Sequence, residues 1–168
     1  SGGSESDNLA IRGAALAARK LRGAKHLLIS PVEHHAVSET TRQLADWFDF
    51  ELEFLPVDSS GMVDPENVKK RLRQDTALVS VIYANNEIGT INPISEIGIL
   101  CREKGIPFHT DAVQGAAHLD INVEELKVDL MSIGAHKFYG PKGIGALFVR
   151  RGTAILPTQT GGGQEFGL

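Results

Sequence analysis

Lys137 is the residue of this sequence best placed for covalent chemistry. It follows an apolar, strand-like run at residues 128–133 and precedes a glycine-rich turn that carries a second lysine, Lys142. An amine attacks a carbonyl carbon when its neutral form is populated, and burial or a nearby cation favours that form. The sequence therefore predicts a reactive amine in this stretch.

Other polar residues fall where predicted strands end or a helix begins. They are Gly3-Ser4, Glu33-His34-His35, Asn85-Asn86-Glu87, and Asp111 with Gln114. If the carbonyl belongs to a pyridine cofactor, a carboxylate keeps the ring nitrogen protonated, so that the ring accepts electrons. An imidazole can stack on such a ring, and a helix that begins at glycines offers free N–H groups to a phosphate.

The elements that must position these residues alternate along the chain. Apolar or β-branched runs predict strands at residues 26–30, 76–84, 106–110, 128–133 and 145–150, and the alternation of charged and apolar residues predicts a half-buried strand at 51–54. Helical spacing predicts helices from Ser4, from His34 to Phe48, from Pro65, over 93–104 and over 124–127. This order predicts an α/β fold with three α/β/α layers and a mainly parallel mixed sheet, whose last strand is antiparallel. Ligands of such sheets bind beyond the carboxyl ends of the strands, where the polar groups fall.

Details of the helices follow from the same spacing. Ser4 is expected to cap the first helix, with Leu9, Gly13, Leu16 and Ala17 on its packed side; a flexible linker at residues 1–4 is the alternative. The second helix is expected to bury a face of Val37, Thr41, Leu44 and Phe48.

Composition bounds the class of protein. The chain has 168 residues, of which 42% are hydrophobic, which predicts a single domain. The net charge of -4 and the scattered basic residues argue against a nucleic-acid partner, and no apolar run is long enough to predict a membrane span. The one cysteine, Cys101, fits a reducing compartment such as the cytoplasm, and its helical position predicts a core residue. Both ends are abrupt, which predicts a piece of a longer chain.

Several segments together resemble a known family. SGGSESDN, EHHAV, ANNEIGTINPI, HTDAVQG, GAHKFYGPKGIGAL and GGGQE occur in this order. They are similar to segments of cysteine desulfurases, which are pyridoxal-phosphate enzymes with the aspartate-aminotransferase fold. The resemblance implies that the chain is the large, cofactor-binding domain of such an enzyme.

The resemblance implies a role for each residue around the cofactor ring. Lys137, rather than Lys142, would form the internal aldimine and move the α-proton of the substrate. His34 would stack on the pyridine ring, and Asp111 would pair with its nitrogen. Gln114 would bond the phenolic oxygen, and Asn86 would lie near the ring and the substrate carboxylate.

The phosphate group would be held by Gly3, Ser4 and His136. The family often has a serine at the position of Gly134, so one phosphate contact is expected to be missing or replaced by a backbone N–H. The family's sulfur-accepting cysteine, a substrate-binding arginine and a threonine serving the partner subunit lie beyond the GGGQE motif. An N-terminal segment precedes SGGSESDN in the family. Cys101 does not match the sulfur-accepting cysteine.

The activity implied is removal of sulfur from L-cysteine. The products would be L-alanine and an enzyme persulfide, which serves a sulfur-acceptor or scaffold protein and iron-sulfur cluster assembly. A homodimer is implied as well. Two alternatives remain open: a selenocysteine lyase, and a non-catalytic large domain that acts as a binding module.

Simpler interpretations apply to several residues. No metal site is predicted, because the adjacent His34 and His35 point apart and no third ligand has suitable spacing. His26, His109 and His118 are expected to be structural. Residues 140–143 lack the spacing of a phosphate loop and predict a tight turn, and residues 161–163 predict a turn or hinge. Asn86, Asp111 and Gln114 could each be ordinary turn or helix-start residues.

Overall fold

Six short strands form one sheet at the centre of the molecule. The computed structural model describes residues 1–162; residues 163–168, which include the last three residues of the GGGQE segment, lie outside the described residues. The strands are β1 (His26–Ile29), β2 (Glu51–Phe54), β3 (Thr76–Ser80), β4 (Phe108–Asp111), β5 (Leu130–Gly134) and β6 (Gly145–Val149). All six were expected from the hydrophobic pattern, with ends that differ by a few residues.

The sheet is mixed and mainly parallel. Its order is β2-β1-β3-β4-β5-β6. The first five strands pair in parallel, whereas β6 runs antiparallel to β5 in a register that places Gly134 opposite Gly145. The predicted fold class, including the antiparallel last strand, is confirmed.

Five helices cover the two faces of the sheet. They are α1 (Gly3–Arg22), α2 (His35–Phe48), α3 (Pro65–Arg71), α4 (Ile94–Glu103) and α5 (Val123–Leu126). Successive strand residues face opposite ways, so that Leu27 packs with α1 and α2 while Leu28 packs with α3, α4 and α5. Each layer therefore has its own hydrophobic core. None of the helices described within residues 1–162 has the length and hydrophobicity needed to cross a membrane.

Strand β3 ends earlier than expected. Residues 81–84 were predicted to continue it, but the ladder stops at Ser80. The Val81 and Tyr83 amides still donate to the His109 and Asp111 carbonyls. A returning loop now bonds this segment as well: the Asn92 side-chain nitrogen donates to the Ile82 carbonyl at 2.9 Å, and Ala84 bridges Ile91. This loop carries Asn86 beyond the end of the strand.

The start of α1 also differs from the expectation. Its N-cap is Gly2, at a φ of 146° that favours glycine, and Ser4 lies inside the first turn. The predicted Ser4 cap is therefore wrong, and so is a linker at Gly3 and Ser4, which are helical. Leu9 and Leu16 are only half-buried, because α1 packs its alanines and Ile11 against the sheet.

Two expectations about buried residues have different outcomes. Phe48 was expected on the packed face of α2, but it is 44% exposed, and Phe50, just beyond the helix, occupies the core instead. Cys101 is fully buried in the core between α4 and the sheet, as predicted.

Candidate active site

A cavity of about 440 Å³ opens at the carboxyl ends of the parallel strands. All eight residues that the sequence nominated for cofactor binding line it: Gly3, Ser4, His34, Asn86, Asp111, Gln114, His136 and Lys137. His34 follows β1, Asn86 follows β3, Asp111 ends β4, and Lys137 follows β5. The sheet topology, and not proximity in sequence, brings them together.

The amino terminus of α1 points into this cavity. Gly2, Gly3 and Ser4 line it, and within residues 1–162 no side chain caps the first turn. The first N–H groups of a helix have no partner inside the helix and attract anions. His136 and Lys142 line the same cavity, so the site combines helix N–H groups with basic side chains. This combination suits a phosphate.

Asp111 is the buried carboxylate of the site. It is 4% exposed, and its Oδ1 accepts a hydrogen bond from the Val113 amide at 2.8 Å. Burial raises the pKa of Asp111, and the Val113 N–H and the charges of His34 and Lys137 act in the opposite direction. Asp111 is thus an ion-pairing group that gains from any cation placed against it.

His34 is held by the start of α2. As the N-cap residue of that helix, it accepts a hydrogen bond from the Ala36 amide at Nδ1, at 3.1 Å. A ring nitrogen that accepts carries no proton in the neutral ring, so the proton lies on Nε2. The cap therefore fixes both the orientation and the tautomer of an exposed imidazole at the cavity wall.

Lys137 ends a 3₁₀ turn, Ala135–Lys137, immediately after β5. The turn closes through the Phe138 amide, which donates to the Ala135 carbonyl at 3.1 Å, and the Gly140 amide donates to the same carbonyl at 2.9 Å. Lys137 is exposed in the cavity wall. The burial expected around a reactive amine is thus not provided by the described residues, and a second lysine, Lys142, lines the same cavity.

Two neighbouring asparagines in the loop after β3 have different surroundings. Asn85 is buried; its side-chain nitrogen donates to the Val32 carbonyl at 2.8 Å, and its oxygen accepts from the amides of Glu87 and Ile88. Asn86 is exposed and faces the cavity. Asn85 therefore shapes the loop, and Asn86 is available to a ligand. Gln114 is half-buried and lines the same cavity.

Two buried carboxyls near the site have no role in the sequence-based account. Asp7 is 1% exposed and lines the cavity, and its Oδ1 lacks a hydrogen-bond partner among residues 1–162. Glu33 accepts the Ile82 amide at 2.6 Å through Oε1, while its buried Oε2 is likewise unpartnered in the described structure. Burial and the charge of Asp111 raise the pKa of Glu33 well above its ordinary value.

The sequence did contain a signal for Asp7. Residues 7, 10, 11 and 14 share one face of a helix, and the other three are Ala10, Ile11 and Ala14 of the core. An aspartate at that spacing is a buried carboxyl.

The fold also brings together three possible metal ligands that are far apart in the sequence. Asp7, His34 and Asp111 each offer an atom within 4.8 Å of the others. The sequence spacing showed no third ligand near His34, but the structure places two carboxyls there. His35 is not part of this group. His26 and His109 are fully buried, as expected of structural histidines, whereas His118 is exposed.

The fold and the cavity point to the pyridoxal-phosphate enzymes whose large domain has this topology. The family model described as aminotransferase class-V matches residues 1–166, and the chain belongs to that family. It is 56% identical over 165 residues to the cysteine desulfurase IscS of Dictyoglomus turgidum, covering 98% of this chain and 41% of that protein.

Solved structures agree with this placement. A structure described as SspA in complex with cysteine has a TM-score of 0.91 and 43% identity, over 99% of this chain and 48% of that one. A NifS-like protein has a TM-score of 0.92 and 39% identity, over 100% of this chain and 46% of that one. The chain thus spans less than half the length of the proteins it matches.

Proposed function

We propose that this chain is the pyridoxal-phosphate-binding domain of a cysteine desulfurase, and that Lys137 is the residue that bonds the cofactor. The observation that carries the proposal is the convergence of a lysine, an imidazole of fixed orientation and a buried carboxylate around one cavity. Those three groups are Lys137, His34 and Asp111.

The cavity fits the two ends of the cofactor. The uncapped start of α1, together with His136, offers donors to the phosphate at one side. Gly134 has no side chain that could bond the phosphate, so the backbone N–H groups of Gly3 and Ser4 would make more of the phosphate contacts. At the other side, Asp111 offers a carboxylate to a ring N–H, and Gln114 offers an amide to the phenolic oxygen.

When bound, pyridoxal phosphate supplies an aldehyde for an amine and a ring that accepts an electron pair. Asp111 holds the proton on the ring nitrogen, because a buried carboxylate is stabilised by a paired cation. His34, held in place by the Ala36 amide, would cover one face of the ring. Together, Asp111 and His34 would hold the ring in the cavity that Lys137 also lines.

Lys137 is proposed to act twice. Its Nζ first anchors the cofactor; once a substrate amine has taken that place, the freed Nζ takes the α-proton and returns it. An exposed amine on a short turn can reach both positions. Asn86, exposed beside the cavity, is proposed to bond the substrate carboxylate.

The substrate proposed for the whole protein is L-cysteine, with L-alanine as the product. Support comes from the desulfurase relatives and from the structure described with cysteine. Since Cys101 is buried in the core, the sulfur would pass to a cysteine of the whole protein that lies outside these 168 residues. From there it would pass to an acceptor or scaffold protein. A homodimer and a cytoplasmic location complete the proposal.

Cofactor binding tests the proposal directly. Adding pyridoxal phosphate to the purified protein should produce the visible absorption of a lysine-bound cofactor. Lys137→Ala should abolish that absorption, whereas Lys142→Ala, which removes the other lysine of the cavity, should retain it. A protein that stays colourless, or a spectrum that is the same in Lys137→Ala, would refute the proposed role.

A further inference from the structure

Glu33 carries a carboxyl group that the proposed function does not use. It directly precedes His34, and its Oε1 accepts a hydrogen bond from the Ile82 amide at 2.6 Å. Its other oxygen, Oε2, is buried and has no hydrogen-bond partner among residues 1–162. A buried oxygen without a partner is unfavourable, so a side chain kept here for stability alone would be fully paired or apolar.

The bond to Glu33 continues the pairing of β1 with β3 beyond the ladder. Within the described part of the chain, the last backbone hydrogen bond between these two segments runs from the Ser30 amide to the Ser80 carbonyl, at 3.1 Å. The chain then turns at Pro31. The Ile82 amide therefore bonds the Glu33 carboxyl in place of a backbone carbonyl of β1.

A second side-chain bond joins the same two loops in the opposite direction. The Asn85 side-chain nitrogen donates to the Val32 carbonyl at 2.8 Å. The residue that follows Glu33 is His34, and the residue that follows Asn85 is Asn86; both are exposed and line the cavity. The two bonds therefore set how far apart these two cavity side chains lie.

We propose that Glu33 is a positioning residue: through its hydrogen bond to the Ile82 amide, it holds His34 and Asn86 at the spacing that the cofactor ring and the substrate require. The inference rests on the proposed function, since it needs a ring at His34. The acceptor oxygen carries the role, and the negative charge does not, because Glu33 forms no salt bridge with any residue that the structure describes.

Cofactor binding by Glu33 variants tests this role. Glu33→Gln keeps an acceptor oxygen for the Ile82 amide and removes the charge. Glu33→Leu fills most of the space without an acceptor, and Glu33→Ala is a second variant without one. Pyridoxal phosphate is titrated into each protein; visible absorption gives the affinity, and visible circular dichroism reports how firmly the bound cofactor is oriented.

Glu33→Leu and Glu33→Ala should bind the cofactor about tenfold more weakly than wild type, the effect of one lost hydrogen bond. Their circular dichroism per bound cofactor should be smaller as well. Glu33→Gln should restore both values. Glu39→Leu, the same substitution at an exposed position of α2, should match wild type.

The cofactor-free protein gives an independent readout. Amide hydrogen exchange followed by NMR should show Ile82 protected in wild type and in Glu33→Gln, and unprotected in Glu33→Leu and Glu33→Ala. Equal Ile82 protection in all four proteins would overturn the inference. A Glu33→Gln variant as impaired as Glu33→Leu would overturn it too, because the charge would then be responsible.

The outcome for Glu33 is distinct from the outcome for the proposed function. Normal visible absorption, with equal affinity and dichroism in wild type and Glu33→Leu, would overturn the role of Glu33 and leave the proposed function intact. A wild-type protein that takes up no cofactor would refute the proposed function, and the role of Glu33 with it.

Discussion

Gly145 lies directly against the backbone of Gly2. A Cβ on Gly145 would stand 2.5 Å from the Gly2 carbonyl carbon, closer than real Cβ atoms approach. Gly145 begins β6 and Gly2 caps α1, so the last strand of the sheet supports the helix terminus that faces the cavity. The position of the proposed phosphate site therefore depends on the absence of a side chain in β6.

Gly145→Ala should push the cap of α1 away from the sheet. Overpacking of this kind costs about 1–3 kcal/mol of unfolding free energy, which chemical denaturation measures, and cofactor affinity should fall as well. Gly161→Ala is the matched control, because no atom of the described residues, apart from its chain neighbours, lies within 4 Å of the added Cβ. Equal stability of the two variants would show that the contact has no structural consequence.

The unfolding free energy of the protein should depend on pH because of Asp7. The unfolded chain loses the Asp7 carboxyl proton near pH 4, whereas in the folded protein burial, followed by the charge of Asp111, raises the pKa of Asp7 to about 8. Asp7 therefore reduces stability progressively as the pH rises from 4 to 8, by on the order of a few kcal/mol. Asp7→Asn should gain stability relative to wild type over that window, as measured by urea denaturation at a series of pH values.

The control for this measurement is an exposed carboxyl. Asp46→Asn, on the solvent side of α2, is the matched variant, because it makes the same substitution at an exposed position. If Asp7→Asn behaves in the same way, the Asp7 carboxyl is ionised throughout and its environment has been misread.

Cys101 should resist thiol reagents in the folded protein. It is fully buried, and burial followed by the charge of Asp129 raises the pKa of its thiol. Because the thiolate is the reactive form, a colorimetric thiol assay should detect it only after denaturation. Rapid labelling of the native protein would contradict this burial and would reopen Cys101 as a sulfur acceptor.

His109 should remain neutral well into the acid range. Its ring nitrogens contact Ser80 at 2.9 Å and Ser132 at 3.0 Å, and burial lowers its pKa to about 3. Since the unfolded chain gains this proton near pH 6.5, His109 lowers stability as the pH falls from 6.5 towards 3. Ring ¹⁵N NMR at pH 5 should show one protonated nitrogen; two would contradict the neutral assignment.

Much of the fold could be predicted from hydrophobic periodicity. The pattern identified the strands of the sheet because most are short apolar runs and β2 alternates charged and apolar residues. It identified β6 as antiparallel because its connection to β5 is short. It placed the end of β3 at residue 84 instead of Ser80, because the loop hydrogen bonds of Asn92 carry no hydrophobic signal. The cap of α1 was misplaced for a similar reason: the approach of β6 to Gly2 is a tertiary contact.

The candidate site was predictable where motifs mark it. The eight predicted residues meet at one cavity because Gly3 and Ser4 begin α1 and the other six end or follow parallel strands of the sheet. The sequence did not predict that Asp7 and Glu33 lie close to Asp111, because their proximity depends on how α1 packs against the sheet. The exposure of Lys137 could not be predicted either, since it depends on the path of the turn after β5.

Mapping the cofactor's attachment point is the most direct test of the central claim. The protein is incubated with pyridoxal phosphate and reduced with borohydride, which makes a lysine adduct permanent, and its peptides are analysed by mass spectrometry. We expect modification of Lys137, and none of Lys142, in the wild-type protein. Modification at Lys142 instead, or unselective modification of surface lysines that persists in Lys137→Ala, would contradict it.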